Sequence, residues 1–463
     1  MEKQSTWSLL GEAIRGSHRN FTEGSLGQAI LLLAVPMVLE MAMESVFAVC
    51  DVFFVGRLGS DAVATVGLTE SIMTLVYTTG IGLGIGAMAT VARRIGEQDP
   101  DGAAHAAAQA LYIGAAASLI MGTLGAAFGP QLLGLMGASP SVIASGSAFA
   151  RIMFGGCGVV IFLFLINSIF RGAGNAAIAM RVLWLANSLN IVLGPCLIFG
   201  LGPFPELGVT GAAVATTCGR GIGALYALSH LLRPGSRLHV QARHLTPDLA
   251  AMRRMLSLCA SSIVQLFIGM ASWVFLTRVI SGFGSQAVAG HTIGIRMILF
   301  ALLPSMGMGN AAATLVGQSL GAGKPERAEA AVWRAGFYNF IFLGLVGVVF
   351  ALIPETLAGI FTADPVVLGY AAASLRTIAF GFPFYAYGMV ISQSFNGAGD
   401  TRTPTLLNLF CFWLFELPLA WLLAYRFNLG PRGVFWAMMI AFSVFALAAA
   451  VVFRKGHWKT QRV

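Results

Sequence analysis

Apolar residues in this chain neither alternate with polar ones nor form a single stripe. They come in long unbroken runs separated by short polar breaks. Twelve runs stand out, at about 27–52, 62–90, 104–127, 146–169, 181–201, 209–232, 255–280, 288–316, 329–353, 371–394, 405–425 and 433–453. A helix that crosses a bilayer needs about 20 mostly apolar residues, and each run supplies roughly that. In lipid the backbone has no water to bond, so a spanning segment is a helix or part of a closed barrel. Continuous runs select helices over the period-two pattern of barrel strands. The expected fold is an all-α membrane protein of twelve transmembrane helices.

Composition points the same way. Of 463 residues 57% are hydrophobic and 10% charged, whereas a soluble domain carries roughly 25% charged residues. The polar first 26 residues and the long run behind them do not read as a cleavable signal peptide. Within them WSLLGEAI fits either a short amphipathic surface helix or a polar tail. The net charge of +9 does not require nucleic acid. With a cytoplasmic N-terminus, 20 of the 28 Lys and Arg fall in inside loops and flanks, Arg171 and Arg181 among them. That is the positive-inside bias, and it places both termini in the cytoplasm; the expected location is the plasma (bacterial inner) membrane. The six cysteines all lie in apolar runs without CxxC spacing, as packing residues do.

The chain repeats itself. LGSDAVA at 58–64 returns as FGSQAVA at 283–289, a shift of 225. At that shift Gly82, Gly84 and Gly96 fall on Gly307, Gly309 and Gly321, FRGAGN on FNGAGD, and Gly208-Val209 on Gly433-Val434. The expected organisation is a cytoplasmic segment 1–26, a six-helix N-lobe 27–232, a basic linker 233–254, a six-helix C-lobe 255–453 and a cytoplasmic tail 454–463. Six helices per half make the repeats parallel, the plan of transporters with a midplane site and alternating access.

Acids inside the first run are the candidate chemistry. At about 100° per residue, Glu40, Glu44 and Asp51 point to about 0°, 40° and 20° over about 16 Å, one narrow face. A charged Asp at the bilayer centre costs about 2.5–3.5 kcal/mol, so this face lines a polar cavity or meets partners. Glu40 and Glu44 fit cavity roles as well as a static ion-pair network. Arg220, Arg278, Arg296 and His291 are the basic groups available as buried partners. Asp51 is the expected ion-coupling acid, with Na⁺ as a possible ligand; Asn187 and Asn190 are amides that either bond across to another helix or tune it. Pro36 is a candidate hinge. At the repeat shift Asp51 falls on Leu276 and Asn190 on Phe415, so coupling is assigned to the first half. The second half offers Gln265, Tyr385 and Tyr387 as cavity walls, with Glu416 either a second acid or an arginine partner.

These stretches resemble the multidrug and toxic compound extrusion (MATE) transporters of the NorM and DinF kind. The residues that carry the likeness are LAVPMVLE, VCDVFFVGRLGSDAVATVGL, FRGAGN, NSLNIVLGPCLIFG and ELGVTGAAVATT. The resemblance implies a V-shaped twelve-helix bundle that exports amphiphilic organic cations in exchange for H⁺ or Na⁺. Its helix-1 acid maps onto Asp51 and its helix-5 amide onto Asn190. Gly194 stands where the family often has Asp or Asn, and the second-lobe acids of NorM-like members fall near Gly269 and Tyr385. Those departures favour protons over Na⁺.

No cofactor is implied, and a monomer in the lipid bilayer is the default. The rival within the same superfamily is a lipid-linked oligosaccharide flippase. An enzyme would need a nucleophile with its base, or a metal set, and the seven histidines are scattered without HExxH.

Overall fold

The computed structural model describes residues 6–17 and 19–461, all helix, turn and loop. A short helix α1 (Thr6–Arg15) precedes the bundle, the helical alternative for that segment. The first half then runs α2 (Leu26–Gly56), α3 (Ser60–Gly96), α4 (Pro100–Leu135), α5 (Pro140–Gly155), α6 (Cys157–Gly172), α7 (Ala176–Phe199) and α8 (Val209–Leu232). The second runs α9 (Leu249–Ser281), α10 (Ser285–Gly321), α11 (Pro325–Leu352), α12 (Pro354–Ala358), α13 (Pro365–Ala379), α14 (Phe382–Ala398), α15 (Arg402–Asn408), α16 (Leu417–Trp421) and α17 (Pro431–Arg454).

All twelve apolar runs are helical. Among the described residues ten spans are long and apolar enough to cross a bilayer, with α5 and α6 counted as one. The pair α13–α14, bent by 63°, makes another. The remaining run is α8, whose glycines, threonines, Arg220 and His230 dilute its apolar character. The chain is an integral membrane protein. The eleventh span, Arg402–Arg426, contains two π-helical stretches, Leu409–Glu416 and Leu422–Arg426. Helix α2 continues through Pro36 without a break.

The repeat is visible in backbone detail. Gly59 and Gly284, 225 apart, cap α3 and α10 at φ +97° and +100°, and Gly174 and Gly399 turn at φ +80° and +86°. Such angles favour glycine because it lacks Cβ. One sequence match needs correcting. The counterpart of Gly208 is Gly430, not Gly433: both precede a 24-residue helix at φ +56° and +58°. The turns repeat too, with Gly211 N–H donating to Gly208 O and Gly433 N–H to Gly430 O, each at 3.0 Å. The shorter loop after the eleventh span and its wider π turns change the offset there from 225 to 222.

The two halves interlock at the end of the bundle that carries the termini. Ile30, Leu33 and Met37 of α2 join the core of the second half, while Met255 and Cys259 of α9 join that of the first. Helices α3 and α10 cross so closely that a Cβ on Gly96 would strike the Gln318 carbonyl, and one on Gly321 the Arg93 carbonyl. Arg93 and Gln318, at one repeat position, reach across reciprocally: Arg93 Nη2 donates to Ala398 O at 3.1 Å and Gln318 Nε2 to Gly172 O at 2.9 Å.

Residues 19–24 lie over this seam as a strap. Phe21 is buried under the Arg237 guanidinium, 5.3 Å from its ring. Arg327 of α11 donates to the carbonyls of Phe21, Glu23 and Gly24 at 2.9–3.1 Å. Lys324 Nζ donates to Thr22 O at 3.1 Å. From the linker side, Asp248 caps α9. Hydrogen bonds from the Ala251 and Ala250 amides hold its carboxyl below the usual range.

Candidate functional site: an acidic cluster among α2, α3, α7 and α8

The three acids of α2 share a face, but they meet different partners. Glu40 is fully buried. Its Oε1 accepts from Asn167 Nδ2 and from Arg171 Nη1, both on α6, each at 3.3 Å. Arg171 therefore sits inside the protein rather than in a flank; its Nη2 also donates to Ser168 Oγ at 2.8 Å. For Glu40 the structure shows the ion pair, not a cavity wall. One turn on, Glu44 Oε2 accepts from Asn187 Nδ2 of α7 at 2.8 Å, and Oε1 from Arg220 Nη2 of α8 at 3.1 Å.

Asp51 lies two turns further along, half-buried, with no hydrogen bond or ion pair among the described residues. Asn190 does not bond it: the amide donates to Thr216 Oγ1 of α8 at 2.8 Å. The physical reason is register, since Asn187 and Asn190 are almost one turn apart on α7 and only the former reaches α2. The tuning role given to both amides therefore reduces, in this conformation, to Asn187 on Glu44.

Arg220 organises the cluster. It is 2% exposed and lies 5.3, 5.5 and 5.8 Å over the rings of Phe47, Tyr77 and Phe164. Three aromatic faces favour a cation through their quadrupoles. Among the described residues only Nη2 finds a partner; Nε and Nη1 are buried without one. The other proposed partners differ. Arg278 and Arg296 are exposed, and His291 stacks against Phe435 in the second half.

Glu70 completes the cluster and was missed by reading the first run alone. It lies on α3 within charge-interaction range of Asp51, Glu44 and Arg220, and makes no hydrogen bond through its carboxyl among the described residues. Its place was readable: Glu70 and Tyr77 are seven residues apart, two turns on one face. The site thus gathers Glu44, Asp51 and Glu70 around one guanidinium.

The residues proposed for the second half do not join it. Gln265 Nε2 donates to Ser392 Oγ at 3.4 Å. Tyr385 stacks on Phe442 at 4.0 Å between centroids. Tyr387 packs near Trp333 and Phe340 and helps line a groove of about 560 Å³ between α11, α14 and α17. The two tyrosines, both on α14, pack against α17 and α11, and Gln265 of α9 faces α14. At the repeat shift Gln265 and Ser392 stand where Glu40 and Asn167 stand in the first half, a neutral version of the same contact.

Two interlocked six-helix halves with a polar cluster embedded in one of them define a membrane transporter. Sequence comparison makes this specific: the model of the family described as MatE matches residues 36–196 and 258–422, and the chain belongs to that family. It is similar to the probable multidrug resistance protein NorM of Thermotoga maritima, 26% identical over 94% of this chain and 93% of that one. It is also 26% identical to the FAD transporter of Shewanella oneidensis, over 90% and 91% of the two chains. Among solved structures, an outward-facing conformation of a multidrug resistance MATE family transporter superposes with TM-score 0.89 at 26% identity, covering 99% of this chain and 100% of that one.

Proposed function

We propose that this protein exports small amphiphilic organic cations across the plasma membrane in exchange for inward protons. The observation that carries the reading is a charge count. Glu44, Asp51 and Glu70 face one guanidinium, Arg220, so two carboxyls are left without a fixed counter-ion. Buried charges are paired or neutralised. Two positive charges must therefore come from outside, as protons or as a bound cation, and a site that both can fill exchanges one for the other.

With both termini cytoplasmic, the interlocked, strapped end is the inner one, and the halves are free to part on the outer side. Protons from outside neutralise Asp51, the cation leaves, and rocking of the halves exposes the site inward, where the proton is released. Sodium is the alternative coupling ion. The proton is supported by Gly194, Gly269 and Tyr385, which stand where the resemblance would put further acids or an amide around a sodium ion. The multidrug name of the Thermotoga relative supports a broad range of small-molecule substrates.

The test is ethidium efflux from proteoliposomes under a pH gradient and, separately, a sodium gradient. Asp51→Asn is expected to abolish pH-driven efflux. Wild-type rates in that variant would remove Asp51 from the mechanism, and efflux driven only by sodium would replace the ion.

A further inference from the structure

The second half has its own buried acid, which the reading above does not use. Glu416 lies in the π-helical stretch of the Arg402–Arg426 span and is 0% exposed. Its Oε2 accepts from Ser272 Oγ of α9 at 3.0 Å, while Oε1 is buried without any partner. No ion pair with an arginine exists for it among the described residues, which excludes in this conformation the arginine pairing allowed by its sequence.

The reason is legible in the repeat. In the first half, the first and fifth helices meet through Glu44 and Asn187, and the sixth helix supplies Arg220. In the second half the same helices meet through Ser272 and Glu416, so the acid has moved from the first to the fifth. Helices α8 and α17 are both 24 residues long behind equivalent glycines, and the twelfth residue of each is Arg220 and Phe442. Where one half carries a guanidinium, the other carries a phenyl ring. Phe442 stacks on Tyr385 and sits 6.5 Å from the ring of Phe412, one turn before Glu416.

Among the described residues the surroundings of Glu416 hold no positive charge. The Tyr385 phenol on α14 and the Cys411 thiol on the same span are the titratable neighbours. Helix α9 contributes the Ser272 hydroxyl, and α17 contributes Phe442 and Phe445. An ionised carboxylate here would lose several kcal/mol of hydration with one hydroxyl in return. π-Helical turns on both sides of Glu416 give its span a place to yield.

We propose that Glu416 is a second proton-exchanging site, separate from Asp51: it carries a proton in this conformation and releases it when α9 and the Arg402–Arg426 span part. Its protonation stands on geometry alone, whereas its exchange during transport rests on the antiport reading.

Two measurements on the full chain test the halves of the claim. Infrared difference spectra of wild type against Glu416→Gln, at neutral pH in lipid, are expected to show a protonated-carboxyl C=O band that the variant lacks. Absence of that difference overturns the site. Reversal-potential measurements in proteoliposomes are expected to give about one proton fewer per ethidium for Glu416→Gln, with efflux retained. An unchanged ratio overturns exchange while leaving Asp51 untouched. Should Glu416→Gln not fold, Ser272→Ala retains the acid and removes its only donor. The pH at which the band fades must then shift, and a band that does not move counts against the assignment.

Discussion

Arg220 donates to Glu44 across 3.1 Å while Asn187 holds the other carboxylate oxygen at 2.8 Å, so Glu44 is committed on both sides and Asp51 and Glu70 are not. One cation is therefore spent on the acid nearest the closed end, and the two acids further along the site are left to exchangeable charges. The pair joins α2 to α8, the first and last helices of the first half.

Breaking it from one side should be costly. Arg220→Met leaves Glu44 facing rings and an amide, and uncompensated buried charges cost about 3–5 kcal/mol. Thermal unfolding in detergent should show that loss, reduced somewhat because Glu44 keeps 19% exposure. The double variant Arg220→Met with Glu44→Gln should recover most of it. If the double variant is no more stable than the single one, the pair is not what Arg220 contributes.

The strap makes a second prediction. Arg327 donates to three strap carbonyls, those of Phe21, Glu23 and Gly24. Each such bond contributes roughly 1 kcal/mol. Arg327→Ala should therefore raise amide hydrogen exchange in residues 19–24 by at least about tenfold. Exchange unchanged there would mean that Phe21 burial alone secures the segment.

Much of this architecture could be read from the pattern of the chain, and the exceptions have physical causes. Long apolar runs report helices directly, because lipid leaves the backbone no other solution. Gly59 and Gly284 announced the repeat since only backbone at positive φ demands glycine there. Side-chain partners were harder. Helical phase placed Glu40, Glu44 and Asp51 on one face, but it says nothing of which neighbour faces them. Arg171 looked like a loop flank because FRGAGN is a turn, yet it is the last turn of α6 folding back onto Glu40. Glu70 escaped because it stands alone in its run; Arg220 reaching from α8 over the Tyr77 ring, two turns along α3, is what brings a cation to it. The slip from 225 to 222 was hidden by the π turns, which add residues without adding helix length.

The interlocked end offers a steric test. A Cβ on Gly307 would lie 2.6 Å from the Met37 carbonyl oxygen and 2.7 Å from its carbon, backbone of α2 that cannot rotate away. Gly307→Val should push α10 off α2 at a cost of about 1–3 kcal/mol. Spin labels at Glu97 and Ala322 should then report a longer or broader distance distribution across the closed end. A distribution identical to that of the parent would show that the contact yields elsewhere.

Glu70 provides the test of charge in the site. It is one of two acids without a fixed counter-ion, and the other, Asp51, is assigned the proton. If Glu70 instead serves mainly to attract the cation, its loss should discriminate among substrates by charge. Two opposite charges several ångströms apart at an effective dielectric near 20 interact by about 1–2 kcal/mol. Glu70→Gln should thus weaken binding of a monocation such as ethidium about tenfold, a dication more, and a neutral dye of similar size hardly at all. Binding titrations with the three probes in detergent separate the outcomes without requiring transport. Equal weakening for all three would make Glu70 a packing residue, and weakening only at high pH would make it a second proton carrier beside Asp51.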